Sequence, residues 1–276
     1  IIEVNNNKMI LNNMKKFTCL LISFLLVSCS SNELKKTIIL SKASTNYVNW
    51  LIDSNFNIVN AYDCNNLDSL LLLADGIVLT GGEDINPLMY GDSSNLLLCE
   101  AMDFRRDTIE KKLFDFALSE HIPFVGICRG MQMMNVANGG TLYGDIPTEL
   151  GESVVHRNKG EVMHDILVTC KNYDYVNMIF PKDIDISNRE NIYNVNSWHH
   201  QGLKDIAEGI NVIAESYDGL PEAVIMDKKI HPFMIAVQFH PERLGSENEI
   251  HKNMRRNFFD AILESVSYTH LRAHET

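Results

Sequence analysis

The strongest constraint on this chain is a rhythm of short apolar runs separated by helix-patterned segments. Residues 37–40, 58–62 and 76–79 read as strands without polar alternation, and residues 47–53, 67–73 and 103–118 read as helices, the last rich in charge on one face. A strand that is apolar on both sides must be covered on both sides. A parallel sheet with crossover helices does this. The expected fold class is therefore α/β, a doubly wound, mostly parallel sheet with helices on both faces. The second half is richer in strands, with candidates at 165–169, 212–215, 223–226 and 234–239, and a closing helix at 248–263. No repeat or low-complexity linker marks off a second domain. Ligands of such sheets bind at the carboxyl ends of the strands, so the residues just past each strand are where chemistry is sought.

One such end reads Phe124-Val125-Gly126-Ile127-Cys128-Arg129-Gly130-Met131-Gln132. An apolar strand (122–127) runs into a cysteine with glycine two positions before and two after, and a helix-like stretch (131–137) follows. This is the spacing of a nucleophile elbow, with sulfur in place of the serine oxygen. The glycines leave room for a sharp, strained turn and for close packing of strand on helix. The turn places the sulfur at a helix N-terminus, where the dipole and free N–H groups favour a thiolate.

A cysteine nucleophile needs a base, usually an oriented histidine. The strand at 234–239 ends in His240-Pro241-Glu242. One residue separates His240 from Glu242, so extended backbone would put both side chains on one side. Glu242 could then orient the imidazole and stabilise its charged form. Acyl transfer also needs donors for a developing oxyanion. Leu79-Thr80-Gly81-Gly82 offers a glycine loop after a strand, with the Gly82 N–H able to face the same point as the Arg129 N–H. A phosphate loop is the competing reading of Gly81-Gly82, but no Gly-Lys-Ser/Thr follows, which disfavours a Walker site.

With 24 basic and 36 acidic residues the net charge is −12. An acidic chain without a basic stripe argues against a nucleic-acid partner. Six cysteines are present, and Cys64, Cys99, Cys128 and Cys170 have neither disulfide-framework nor zinc-finger spacing. Met14-Lys15-Lys16, an apolar run, and Leu26-Val27-Ser28-Cys29 resemble a bacterial lipoprotein signal with Cys29 as the lipidated residue. The expectation is a membrane-anchored protein facing the periplasm or exterior, held only through that lipid, or a cytoplasmic one if the signal is unused. Residues 1–13 read as upstream sequence, 14–28 as signal peptide, 29–36 as a short tether and 37–265 as the folded domain. Residues 266–276 resemble a translated sequencing adapter, so no metal site is read from its histidines.

Thr80-Gly81-Gly82, Gly126-Ile127-Cys128-Arg129-Gly130-Met131-Gln132 and Gln238-Phe239-His240-Pro241-Glu242 occur in the order and spacing of class I glutamine amidotransferase-like proteins. Asp84-Ile85-Asn86-Pro87, Asn135-Val136-Ala137-Asn138-Gly139-Gly140 and Asn196-Ser197-Trp198-His199-His200-Gln201 resemble the gamma-glutamyl-gamma-aminobutyrate hydrolase and gamma-glutamyl hydrolase branch. The resemblance implies a flavodoxin-like core and a Cys128-His240-Glu242 triad that cleaves gamma-glutamyl amides through a thioester. It implies that Gln132 and the stretch Ser197, Trp198, His199 hold the glutamyl head group. It implies no metal and no organic cofactor, and a small-molecule gamma-glutamyl substrate as the partner. His199 and His200 read equally well as packed polar residues, and His156 and His164 as structural ones. Two other functions stand beside the hydrolase: a glutaminase that feeds ammonia to a synthase, and a non-catalytic lipoprotein that binds gamma-glutamyl compounds.

Overall fold

The computed structural model describes residues 35–181 and 191–272, with side chains up to 265. The strands are β1 (Lys36–Leu40), β2 (Phe56–Asn60), β3 (Gly76–Leu79), β4 (Phe124–Ile127), β5 (Leu142–Tyr143), β6 (Val162–Val168), β7 (Ile192–Ser197), β8 (Gly202–Leu203), β9 (Ile210–Ser216), β10 (Pro221–Met226) and β11 (Met234–Val237). The α-helices are α1 (Thr45–Leu51), α2 (Leu67–Leu71), α3 (Phe104–Glu120), α4 (Arg129–Ala137), α5 (Ile146–Glu149), α6 (Tyr173–Ile179) and α7 (Glu249–Arg272). The last helix continues beyond residue 263 into the segment that resembles an adapter. The proposed signal, Cys29 and most of the tether lie outside the described residues.

Among the described residues one sheet has nine strands in the order β2-β1-β3-β4-β11-β10-β9-β6-β7. The first five pair in parallel, and their order is that of a flavodoxin-like sheet, reversing between β1 and β3. The strand-rich second half adds β10, β9, β6 and β7, all antiparallel, to one edge. The sheet is thus mixed, with a parallel core.

Strands β3, β4 and β11 are buried at every position, as their unbroken apolar sequences require. Alternate residues feed opposite faces. Ile38, Leu40, Val125, Ile127 and Val237 join Trp50, Phe258 and Ile262 on one side. Ile39, Ile77, Leu79 and Phe124 join Leu113, Phe114, Met131 and Met134 on the other. Each such fully buried side chain stabilises the fold by about 1.5–3 kcal/mol relative to exposure. Helix α3 begins where the Asp103 carboxylate accepts the Arg106 N–H at 3.0 Å and ends at His121, whose φ of 55° is left-handed.

The charges of α3 divide between solvent and interior: Arg105, Lys112 and Asp115 are exposed. Arg106, Asp107 and Glu110 of α3 are buried against the sheet's carboxyl edge, because a second buried cation, Arg129 at the start of α4, lies there to pair with the two carboxylates.

Candidate active site

Three neighbouring parallel strands deliver three loops to one point. Leu79 of β3 aligns with Gly126 of β4, and Ile127 of β4 aligns with Val237 of β11. Gly81, Cys128 and His240 therefore emerge side by side.

Cys128 has φ 52° and ψ −107°, a strained conformation for a residue with a side chain. Its N–H donates to Val237 O at 2.8 Å, and its carbonyl accepts from Met131 and Gln132 at the start of α4. The turn needs both flanking glycines. A Cβ on Gly126 would stand 2.7 Å from Gly130 O, and one on Gly130 would overlap the backbone of Leu79. The Arg129 and Gly130 N–H groups open the helix and have no partner within it.

His240 Nδ1 lies 2.8 Å from Glu242 Oε1. The sequence suggested extended backbone between them. Instead β11 ends at Val237, and Pro241–Arg243 forms a 3₁₀ turn with His240 before it. The turn, not strand alternation, brings carboxylate to ring. Asn196 accepts the His240 N–H at 2.8 Å and donates to the His240 carbonyl at 3.0 Å. The Trp198 ring meets the imidazole edge-on, with centroids 5.4 Å apart. Burial disfavours charge on His240, but the Cys128 sulfur, its hydrogen-bond and charge partner, and then Glu242 outweigh it and raise His240 to about 10.

The glycine loop is held from behind. Arg106 Nη2 donates to Thr80 O at 2.8 Å and to Gly81 O at 2.9 Å, and Nη1 pairs with Glu83 at 2.6 Å. A trans peptide points its N–H opposite to its C=O. With the Gly81 carbonyl turned to Arg106, the Gly82 N–H points away from that guanidinium. The Gly81 N–H is already bonded to the Tyr47 hydroxyl at 2.8 Å. A Cβ at Gly81 would come 2.7 Å from the His240 ring, and one at Gly82, where φ is +155°, would collide with Arg106.

The Arg129 side chain turns away from the sulfur. It donates to Glu83 O at 2.7 Å and Asp107 at 2.5 Å and contacts Glu110. Burial, reinforced by the neighbouring Arg106, lowers Arg129 to about 9. Burial raises Asp107 against the pull of Arg129. Removing one member of such a buried network typically costs about 3–5 kcal/mol.

A cleft of about 140 Å³ beside Cys128 is lined by Gly82, Glu83, Glu100, Gln132, Arg157 and Trp198, among others. Gln132 Nε2 donates to Gln201 O at 3.1 Å and to Gln238 Oε1 at 3.3 Å. Ser197 is fully buried, and its hydroxyl donates to His156 O at 2.5 Å. His199 is on the cleft wall with Nδ1 on Gln201 O at 2.9 Å. His200 bridges Asp84 and Asp145 at 3.1 Å to each. Burial is outweighed there by the Asp84 carboxylate, which raises His200.

Sequence reasoning assigned no role to Arg106, Asn196, Tyr47 or Glu222. Asn196 stood inside a quoted motif, but its tie to His240 joins strands distant in sequence. Arg106 was one charge among many on a helix read as rich in charge on one face.

The Peptidase C26 family model matches residues 35–242. YvdE of Lactococcus lactis, described as glutamine amidotransferase-like, is 36% identical over 177 residues, 64% of this chain and 70% of its own. The gamma-glutamyl-gamma-aminobutyrate hydrolase PuuD of Escherichia coli is 32% identical over 210 residues, 73% of this chain and 77% of its own. Among solved structures, the glutaminase domain of Trypanosoma brucei CTPS with bound acivicin superposes with a TM-score of 0.53 at 16% identity. That likeness covers 83% of this chain and 94% of that one and shows the shared fold. The chain belongs to the Peptidase C26 family, among the class I glutamine amidotransferase-like proteins.

Proposed function

We propose that this chain hydrolyses gamma-glutamyl amides with Cys128 as nucleophile, His240 as proton carrier and Glu242 as its orienting carboxylate. The observation that carries the reading is the strained Cys128 backbone beside a histidine fixed at 2.8 Å by its own carboxylate. In the first step the Cys128 thiol gives its proton to His240 as its sulfur bonds to the side-chain carbonyl carbon of the glutamyl group. The carbonyl oxygen takes up charge facing the Gly82 and Arg129 N–H groups. As the carbon–nitrogen bond breaks, His240 gives its proton to the leaving amine, and a thioester remains. Water then attacks the thioester, giving a proton to His240; the carbon–sulfur bond breaks, His240 passes that proton to the sulfur, and glutamate and free thiol are released.

The cleft is smaller than sites that enclose drug-sized ligands. It suits an amino-acid head group, with the leaving amine outside. Arg157, paired with Glu100 at 3.0 Å, and Glu83 both line the cleft and offer opposite charges for a zwitterion. The hydrolase name of PuuD supports a gamma-glutamyl substrate, and the amidotransferase-like description of YvdE keeps glutamine itself as the second reading.

The test is glutamate release from a panel containing gamma-glutamyl-aminobutyrate, gamma-glutamyl dipeptides and glutamine. Turnover that persists in Cys128→Ala would sink the mechanism. Glutamine as the best substrate would select the glutaminase.

A further inference from the structure

Behind the cleft wall, three buried histidines each aim one ring nitrogen at a buried carboxylate, and none of these facing atoms is hydrogen-bonded. The four residues are His156 in the loop before β6, His164 on β6, His199 after β7, and Glu222 on β10. Their exposures are 4%, 8%, 3% and 0%. The facing atoms lie within 4.8 Å of one another. His156 Nδ1, His164 Nε2 and His199 Nε2 stand 3.4, 3.5 and 3.4 Å from Glu222 Oε1. All three ring atoms and both Glu222 oxygens lack a hydrogen-bond partner.

We propose that His156, His164, His199 and Glu222 bind a divalent transition-metal ion, zinc by preference, as a closed structural site. Ligands about 2.0–2.1 Å from a tetrahedral zinc lie about 3.3–3.4 Å apart. Three gaps of 3.4–3.5 Å around one carboxylate oxygen match that edge and exceed an N–H···O hydrogen bond.

The far side of each ring is consistent with a lone pair pointing inward. His156 Nε2 meets Asp218 Oδ2 at 2.8 Å, His199 Nδ1 meets Gln201 O at 2.9 Å, and His164 Nδ1 faces Asp165 O at 3.4 Å. These acceptors place the ring proton outward, as carboxylates and carbonyls do behind metal-bound histidines. Asp218 is itself held by the Ser216 hydroxyl at 2.5 Å and the Leu220 N–H at 3.3 Å. The inner atoms are then all acceptors. A buried water has two hydrogens for at least four acceptors, whereas a dication satisfies every one. Neutral imidazoles with one carboxylate leave one positive charge on the occupied site, opposed by Asp218.

The local backbone supports a built site. The register between β10 and β9 slips at Glu222, which stands as the extra residue between Pro221 and Ala223. Bulges re-aim side chains and cluster near functional sites. The site also ties the cleft wall together. His199 follows Trp198, which packs on His240. Ser197 bonds the His156 carbonyl, and the Glu222 carbonyl accepts the Gln238 N–H. A bound ion would therefore pin strands β6, β7 and β10 behind the catalytic histidine without touching the reacting atoms.

The experiment is elemental analysis of the purified full chain, followed by chelator stripping and titration with zinc or cobalt. The expected result is about one zinc per chain, retained in Cys128→Ser. Cobalt should give visible absorption bands of tetrahedral geometry, and zinc should raise the melting temperature of the stripped chain. Glu222→Gln should weaken zinc binding more than about 100-fold, and Asp218→Asn about 10–100-fold. If these variants fail to fold, the stripped wild-type chain decides alone. A folded, stripped chain that takes up no zinc or cobalt and keeps its melting temperature would overturn the site. So would zinc that is lost in Cys128→Ser and kept in Glu222→Gln.

Discussion

Asn196 grips His240 by both backbone groups, accepting its N–H at 2.8 Å and donating to its carbonyl at 3.0 Å. Asn196 is fully buried on β7, whereas His240 follows β11 and reaches the site from the parallel core. The tie fixes the histidine to the antiparallel extension, so the position of the proposed base depends on how the two halves of the sheet meet. Asn196→Asp keeps the acceptor and loses the donor. It should lower kcat by about 10–100-fold, as small misplacements of catalytic groups do, while leaving the circular dichroism spectrum unchanged. A variant with wild-type kcat would show that the clamp has no part in positioning.

Against burial, Cys128 and then Glu242 raise His240 to about 10. The folded chain therefore holds a proton that the unfolded chain releases near 6.5. The resulting stabilisation is complete below about 6.5 and is lost as pH rises through 10. Glu242→Gln removes one of the raising charges. Its alkaline limb in kcat/KM should move to lower pH, and its stability in urea should begin to decline at lower pH. Profiles that superpose on wild type would contradict the role given to Glu242.

Gly82 has φ +155°, and a Cβ there would collide with Arg106. Gly82→Ala should displace the loop and its N–H. Loss of one oxyanion donor costs about 10²–10³ in kcat, and a fall of that size is expected with substrate KM less affected. Arg106→Lys should fall in the same direction, because an ammonium cannot reproduce the fork of bonds to Thr80 and Gly81. Steady-state kinetics on both variants check this, and unaffected kcat in either would remove the loop from the mechanism.

Glu83 is lowered to about 2; burial alone would raise it, and Lys42 and Arg106 outweigh burial. Its pairing stabilises the fold above about 4.5 and is lost as pH falls towards 2. With about a third of its side chain exposed, the effect is screened and modest. Acid unfolding of Glu83→Gln should show a shallower pH dependence between those values than wild type. An identical acid limb would mean that the pair adds nothing measurable.

The parallel core was legible residue by residue. The apolar runs at 76–79 and 122–127 yielded fully buried strands over Gly76–Leu79 and Phe124–Ile127, because covering both faces of a sheet leaves no other place for them. The Gly126-x-Cys128-x-Gly130 spacing announced a turn, and the φ of Cys128 carries it. Three things were not legible. The pairing of His240 with Glu242 looked like strand alternation and is made by a 3₁₀ turn. Helix α3 read only as rich in charge on one face, and Arg106 and Glu110 are buried because Arg129 completes their network. His156, His164, His199 and Glu222 have no ligand spacing, since they converge only after separate strands pair.

Sequence by itself determined the elements that local chemistry dictates: two-sided strands, a glycine-flanked cysteine and a histidine two residues from a carboxylate. Only the tertiary structure decided which polar groups face which. Periodicity records whether a side chain meets water or core, but a buried polar group is satisfied by partners that may lie anywhere in the chain. The order of strands across the sheet brings Asn196 to His240, Arg106 to Gly81 and Glu222 to its three histidines.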